Sequence, residues 1–355
     1  MRESLFPAVA SALLAVCLLA LTAGAAAQLT PAEQKEANTE QRREVVQPLN
    51  NSPVWKEVRS GAPQTTTVRG RETNVLIQSQ GETWRALRVP ILFWGGMLVA
   101  LAILGLAVFY LILGPLDVPA GEKRAGRLIE RFPPMDRYAH WLLAITWVTL
   151  AITGLILSLG KSVLLPLIGY TLFSWLATLA KNLHNLIGPI LIVAVPLLFI
   201  RFVRDNGIGV DDVKWFLNII GYFKGHEHPS GRFNAGEKVV FWFVLVILST
   251  VLIVTGLVLV FPNFDQTRST MQIANVVHMV AAYIGIGLAL VHVYLGTVGM
   301  VNAYRAMRYG YVDESWAMHH HLRWYEDVVA GQAAQKFADP KAVPPDVSQA
   351  RTRPA

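Results

Sequence analysis

One cysteine, Cys17, is all that this chain of 355 residues contains. It lies in a segment whose features predict removal, so the mature chain would have no disulfide and no thiolates for an iron–sulfur cluster. It would also lack a C-x-x-C-H attachment for a c-type haem. Any redox centre must then be held by histidine or bound without covalent attachment. Charge is sparse as well: Asp, Glu, Lys and Arg make up 15% of the chain against 53% apolar residues. That balance, with long apolar runs, excludes an ordinary soluble domain and predicts an integral membrane protein. Acidic residues are missing altogether from the stretches 89–113, 138–159, 182–200, 239–261 and 273–301. A proton relay through the bilayer would want them. The net charge of +7 is read through where Lys and Arg stand relative to a membrane, and no nucleic-acid partner is expected.

What is present begins with an export signal. Arg2, the apolar run Ala8–Ala23 and Ala25-Ala26-Ala27 before Gln28 predict a cleaved signal peptide over residues 1–27. Residues 28–88 form a polar, exported region without a strong period. Five spanning helices follow, at about 89–113, 138–159, 182–200, 239–261 and 273–301, each near the roughly 20 residues that hydrocarbon requires. Residues 162–180 are uncharged too, but Pro166 and Gly169 interrupt them, which predicts an interfacial or loop helix and no sixth span. The domain plan is a signal peptide at 1–27, the exported region at 28–88 and an extra transmembrane helix at 89–115. A four-span domain at 116–330 and a cytoplasmic, disordered tail at 331–355 complete it. Basic residues set the orientation. The loops 117–137 and 201–238 and the tail from Arg305 carry five, six and seven Lys or Arg, against two in 160–181 and one in 265–268. The basic side is cytoplasmic, so the N-terminal region is periplasmic and the C-terminus cytoplasmic, in a bacterial inner membrane.

Four histidines stand inside these apolar stretches: His140, His184, His278 and His292. An ionisable side chain is costly there, so each is a candidate functional residue. His278 and His292 are fourteen residues apart, about 1400° of helix, and so share one face about 21 Å apart along the axis. The predicted topology sorts the four into an outer pair, His184 with His278, and an inner pair, His140 with His292. Two imidazoles on facing helices fill both axial positions of an iron porphyrin and leave a centre suited to passing single electrons. Gly154, fourteen residues after His140, and Gly188, one turn from His184, would let a flat macrocycle approach the backbone. Arg137 is placed to neutralise propionates.

Other readings stand beside this one. A single membrane histidine is as readily an interhelical hydrogen bond. The two pairs lie too far apart to share one zinc or copper ion. His319-His320-His321 would point apart on a helix, which favours solvated or subunit-contact roles, and His226 and His228 read as loop surface or as a proton-uptake point.

Several segments resemble the γ subunit, a cytochrome b, of membrane-bound formate dehydrogenase: Asp136-Arg137-Tyr138-Ala139-His140-Trp141, Asn182-Leu183-His184-Asn185-Leu186-Ile187-Gly188, and Phe233-Asn234-Ala235-Gly236-Glu237-Lys238. Trp215-Phe216-Leu217-Asn218-Ile219, Gly225-His226-Glu227-His228 and His320-His321-Leu322-Arg323-Trp324-Tyr325 extend it over about 131–328. The histidine set alone is shared with the cytochromes b of nickel–iron hydrogenases. The resemblance implies an all-α membrane protein with a four-helix haem-binding bundle, here joined by one extra N-terminal helix. It implies two haem b groups on the four histidines, and a menaquinone or ubiquinone site at Asn234, Gly236, Glu237 and His292. It implies an iron–sulfur β subunit and a molybdenum- or tungsten-containing α subunit that oxidises formate, so this chain would be the electron-transfer subunit of a formate:quinone oxidoreductase. The family's glutamine is Glu237 here, either a proton acceptor for the quinone or an ion-pair partner of Lys238. A haem-free membrane anchor is the rival of another class; a transporter would want inverted repeats or broken helices at mid-membrane.

Overall fold

The computed structural model describes residues 35, 55, 59, 60, 80–119, 127–223, 228–264, 266–339 and 343. The expected signal peptide, most of the exported region and His226 lie outside the described residues. The chain divides into two compact units, residues 1–86 with 258–275, and residues 87–257 with 276–355. In the first, Trp84 Nε1 donates to Asn275 Oδ1 at 3.3 Å, and Phe261 meets Phe264 edge-on. The second holds every candidate site residue.

Among the described residues five helices are long and apolar enough to cross a membrane, as the sequence predicts. The first is α1, Gly81–Leu113. It begins before the apolar run because Glu82 and Arg85 pair across one turn and extend the helix into water, so residues 81–88 belong to it and not to an irregular region. The second is α2, Pro134–Val163, started by a proline at a position where no amide donor is needed. The third is a rod of α3, Leu165–Ile187, one 3-10 turn, Gly188–Ile190, and α4, Leu191–Phe202. The stretch expected as a separate interfacial helix is in fact continuous with this rod. Gly169 does break it, at φ 76°, a conformation costly for any residue with a Cβ. From Tyr170 the chain runs about 50 Å, longer than the roughly 30 Å hydrocarbon core.

After α5, Val210–Leu217, and α6, Ile219–Phe223, the fourth span joins α7, Ala235–Val239, a π-helical stretch, Val240–Leu248, and α8, Ser249–Val260. The fifth is α9, Arg268–Tyr294, with a π-helical end, Leu295–Gly299. Here α2 packs along α3 and α4, while the outward faces carry exposed Phe93, Leu101, Ile145, Ile152 and Val254, apolar surface that suits lipid. α1 seats on the fifth span through Gly95, whose Cβ would collide with the Tyr283 ring, and on the second through Gly96, whose Cβ would stand 3.2 Å from Leu159. Replacing Gly95 by leucine is therefore expected to cost about 1–3 kcal/mol by overpacking, read as a lower melting temperature in detergent. An unchanged melt would show that this contact does not hold the helix.

One end of the bundle carries a folded cap built from α10, Ala303–Tyr309, α11, Glu314–His320, and α12, Leu322–Val329, with a two-stranded antiparallel ribbon. The ribbon pairs β1, Leu128–Glu130, with β2, Tyr311–Asp313. The tail expected to be disordered from residue 331 is ordered through Asp339. Glu130 N donates to Lys336 O and Ala338 N to Leu128 O, so it satisfies the free edge of β1. Inside the cap Ile129, Phe132, Phe233, Val312, Trp316 and Trp324 form one core. Arg131 is buried among the rings, its guanidinium 4.9 Å from Phe132 and 5.0 Å from Trp316.

Candidate functional site

The predicted pairs meet. His184 on α3 faces His278 on α9 with ring centroids 6.2 Å apart. His140 on α2 faces His292 on α9, also at 6.2 Å. Two metal–nitrogen bonds of about 2.0 Å, plus the distance from each nitrogen to its ring centre, sum to roughly 6 Å, so both separations fit one ion between two imidazoles. His278 and His292 share an unbroken helix, and midway between them Gly285 leaves room for Trp147, 3.0 Å from where its Cβ would stand.

The helix backbones come close at the His184–His278 pair. A Cβ at Gly154 would stand 3.4 Å from His184 Cε1, and one at Gly256 the same distance from His278 Cε1. Sequence reasoning found Gly154 and missed Gly256. It also missed Thr153 and Thr255, whose hydroxyls contact His184 Nδ1 at 2.8 Å and His278 Nδ1 at 2.9 Å. A signal was present in Ile152-Thr153-Gly154-Leu155-Ile156-Leu157 and Val254-Thr255-Gly256-Leu257-Val258-Leu259, two near copies of one pattern in alternate spans. At Gly188 an added Cβ meets no protein atom within 4 Å. Arg137 donates from Nη1 to the Arg308 carbonyl at 2.8 Å.

Asn234 and Glu237 stand at the start of the fourth span and cap it reciprocally. Asn234 Oδ1 accepts from Glu237 N at 3.0 Å, and Glu237 Oε2 accepts from Asn234 N at 2.9 Å. Gly236 admits the Trp215 ring, 3.3 Å from where its Cβ would stand. Glu237 does not pair with Lys238. It takes Arg131 at 3.1 Å and lies 3.9 Å from His321 Nε2. Lys238 instead pairs with Asp212 at 2.9 Å, because consecutive residues leave a helix about 100° apart. A polar cleft nearby is walled by Asp211, Asp212, Trp215, Lys238, Arg323 and Asp327, and does not include Asn234, Gly236 or Glu237.

His320 and His321 are neither solvated nor on a contact surface. Both are buried, 3% and 2% exposed, because the cap folds over them. His321 Nδ1 lies 2.8 Å from the Gly231 carbonyl, and its ring faces Trp316 and Trp324. Among the described residues no group of three or more His, Cys, Asp or Glu gathers to hold an ion. His228 is partly covered and sits 3.5 Å from Asp211, which also pairs with Arg323. Burial, and then the Arg131 charge, push His320 down to about 4, and burial takes His321 well below its ordinary value. The folded cap therefore holds these rings neutral, whereas the unfolded chain takes up protons near pH 6.5. The stability they leave intact is fully present above that pH and is lost as pH falls towards 4, by roughly 3 kcal/mol for His320. Melting in detergent is expected at lower temperature at pH 5 than at pH 7.5, with the difference reduced in His320→Gln; equal melts in the parent protein would contradict this.

Residues 131–310 match the prokaryotic cytochrome b561 family. The chain is 29% identical over 221 residues to the nitrate-inducible formate dehydrogenase cytochrome b556(Fdn) subunit of Escherichia coli K12, covering 59% of this chain and 96% of that protein. It is 31% identical over 209 residues to the formate dehydrogenase cytochrome b556(fdo) subunit of the same strain, covering 56% and 93%. It is 27% identical over 214 residues to the formate dehydrogenase cytochrome b556 subunit of Haemophilus influenzae, covering 57% and 84%.

Proposed function

The chain belongs to the prokaryotic cytochrome b561 family, a multi-pass membrane family whose name implies haem b, and from that premise we propose that it is the cytochrome b subunit of a formate dehydrogenase. The names of its relatives support this, and the observation that carries it is the pair of histidine couples, each 6.2 Å apart, on facing spans. His184 and His278 would hold one haem b and His140 and His292 a second. Haem bound there would supply one-electron transfer.

The chain's own residues do the rest. The cap end carries the basic loops and faces the cytoplasm of a bacterial inner membrane, with the residues before α1 exported and residues 1–27 removed as a signal. An iron–sulfur β subunit docks on the opposite, periplasmic face beside His184 and His278, and a molybdenum or tungsten α subunit oxidises formate. Asn234, Gly236 and Glu237 border the site where a menaquinone or ubiquinone accepts two electrons. Arg131 and the reciprocal cap fix the Glu237 carboxylate there, so that Glu237 takes a proton from the cytoplasmic side and passes it to the reduced quinone oxygen. Asn234 holds the turn that aims Glu237.

A reduced-minus-oxidised spectrum of membranes tests this reading. Formate should bring up the b-type α band, and a quinone should discharge it. A band that responds to hydrogen but not to formate would move the chain to a hydrogenase, and no band at all would leave it a haem-free anchor.

A further inference from the structure

The Thr153 and Thr255 hydroxyls do more than touch the outer histidines. A hydroxyl carries one proton. Thr153 gives its proton to the Thr149 carbonyl at 2.7 Å, and Thr255 to the Val251 carbonyl at 2.6 Å. Each oxygen therefore turns a lone pair towards the histidine, 2.8 Å from His184 Nδ1 and 2.9 Å from His278 Nδ1. Those nitrogens must be the donors. With the proton on Nδ1, the lone pair stays on Nε2, where a metal is bound. Two helices supply this support in the same way, each with a glycine next to the threonine that lets the ring approach. His140 lacks it: its Nδ1 is buried with no hydrogen-bond partner among the described residues.

We infer that Thr153 and Thr255 are positioning residues that fix the tautomer and orientation of His184 and His278, and so tune the haem held between them. The inference rests on the ligand assignment proposed above. An imidazole whose N–H is hydrogen-bonded is a better electron donor and favours the oxidised metal, so these hydroxyls lower the potential of the outer centre.

Redox titration of the full-length chain, purified in detergent with its haem, tests this in Thr153→Val and Thr255→Val. The outer component should shift to higher potential, by about 59 mV if the oxidised-to-reduced equilibrium moves tenfold. Its haem should also be held some 10–100-fold less tightly. The inner component should stay in place, and Thr153→Ser and Thr255→Ser should restore the outer one. An outer potential unmoved in both valine variants, an equal shift of both components, or serine variants that behave like valine would each overturn the inference. His184→Ala and His278→Ala identify the outer component by its disappearance. Should they retain both components, the ligand assignment itself falls and takes the inference with it, an outcome distinct from the other three.

Discussion

Alanine at His184 or His278 is expected to halve the haem content of the purified chain, from two groups to one, and to abolish reduction of quinone by formate. The two rings face one another from α3 and α9 at 6.2 Å, and neither helix offers a second imidazole within one turn. Either substitution leaves a single axial donor in a membrane interior, where water is a poor substitute. Alanine at His140 or His292 should remove the other group, since that pair stands about 21 Å further along α9. Haem extraction quantifies the loss, and redox titration shows which component has gone. Two components retained in any of the four variants would refute the pairing.

Asp136→Asn should be the most damaging change outside the histidines. Its carboxylate is 2% exposed and takes Arg201 at 2.6 Å and Arg232 at 2.8 Å. Arg232 goes on to Asp205 at 2.6 Å and to the Arg131 carbonyl, and Arg131 reaches Glu237. The lattice ties the starts of the second and fourth spans to the end of the third. The amide keeps the shape but leaves the buried Arg232 with half its countercharge, and breaking a buried pair on one side costs about 3–5 kcal/mol. Thermal unfolding followed by tryptophan fluorescence should show a large fall in melting temperature. A melt matching the parent would mean that this lattice contributes nothing net.

Parts of this arrangement were legible in the sequence because they follow from one-dimensional rules. Five uncharged runs had to be helices, since hydrocarbon leaves no other partner for backbone amides. Fourteen-residue spacing on one helix, combined with alternating span direction, was enough to pair His184 with His278 and His140 with His292. The continuation of residues 170–180 into the third span was not legible. A proline and a glycine mark a break, but not whether the chain resumes in line beyond it. His320 and His321 looked like surface residues because polar neighbours surround them in sequence, while their burial comes from Trp316, Trp324 and the segment 230–231, some ninety residues away.

By itself, then, the sequence determined the multi-pass membrane class, the five long apolar helices and which histidines share a helix face, because hydropathy and helical period act locally along the chain. The tertiary structure alone decided which atoms stand behind those histidines and which carboxylate meets which arginine. Thr153 finds His184 across thirty-one positions and Thr255 finds His278 across twenty-three, and Glu237 turns to Arg131 rather than to adjacent Lys238. Such contacts are set by how two helices rotate and pack against each other, and a hydrogen bond tolerates only a few tenths of an ångström of error in that fit.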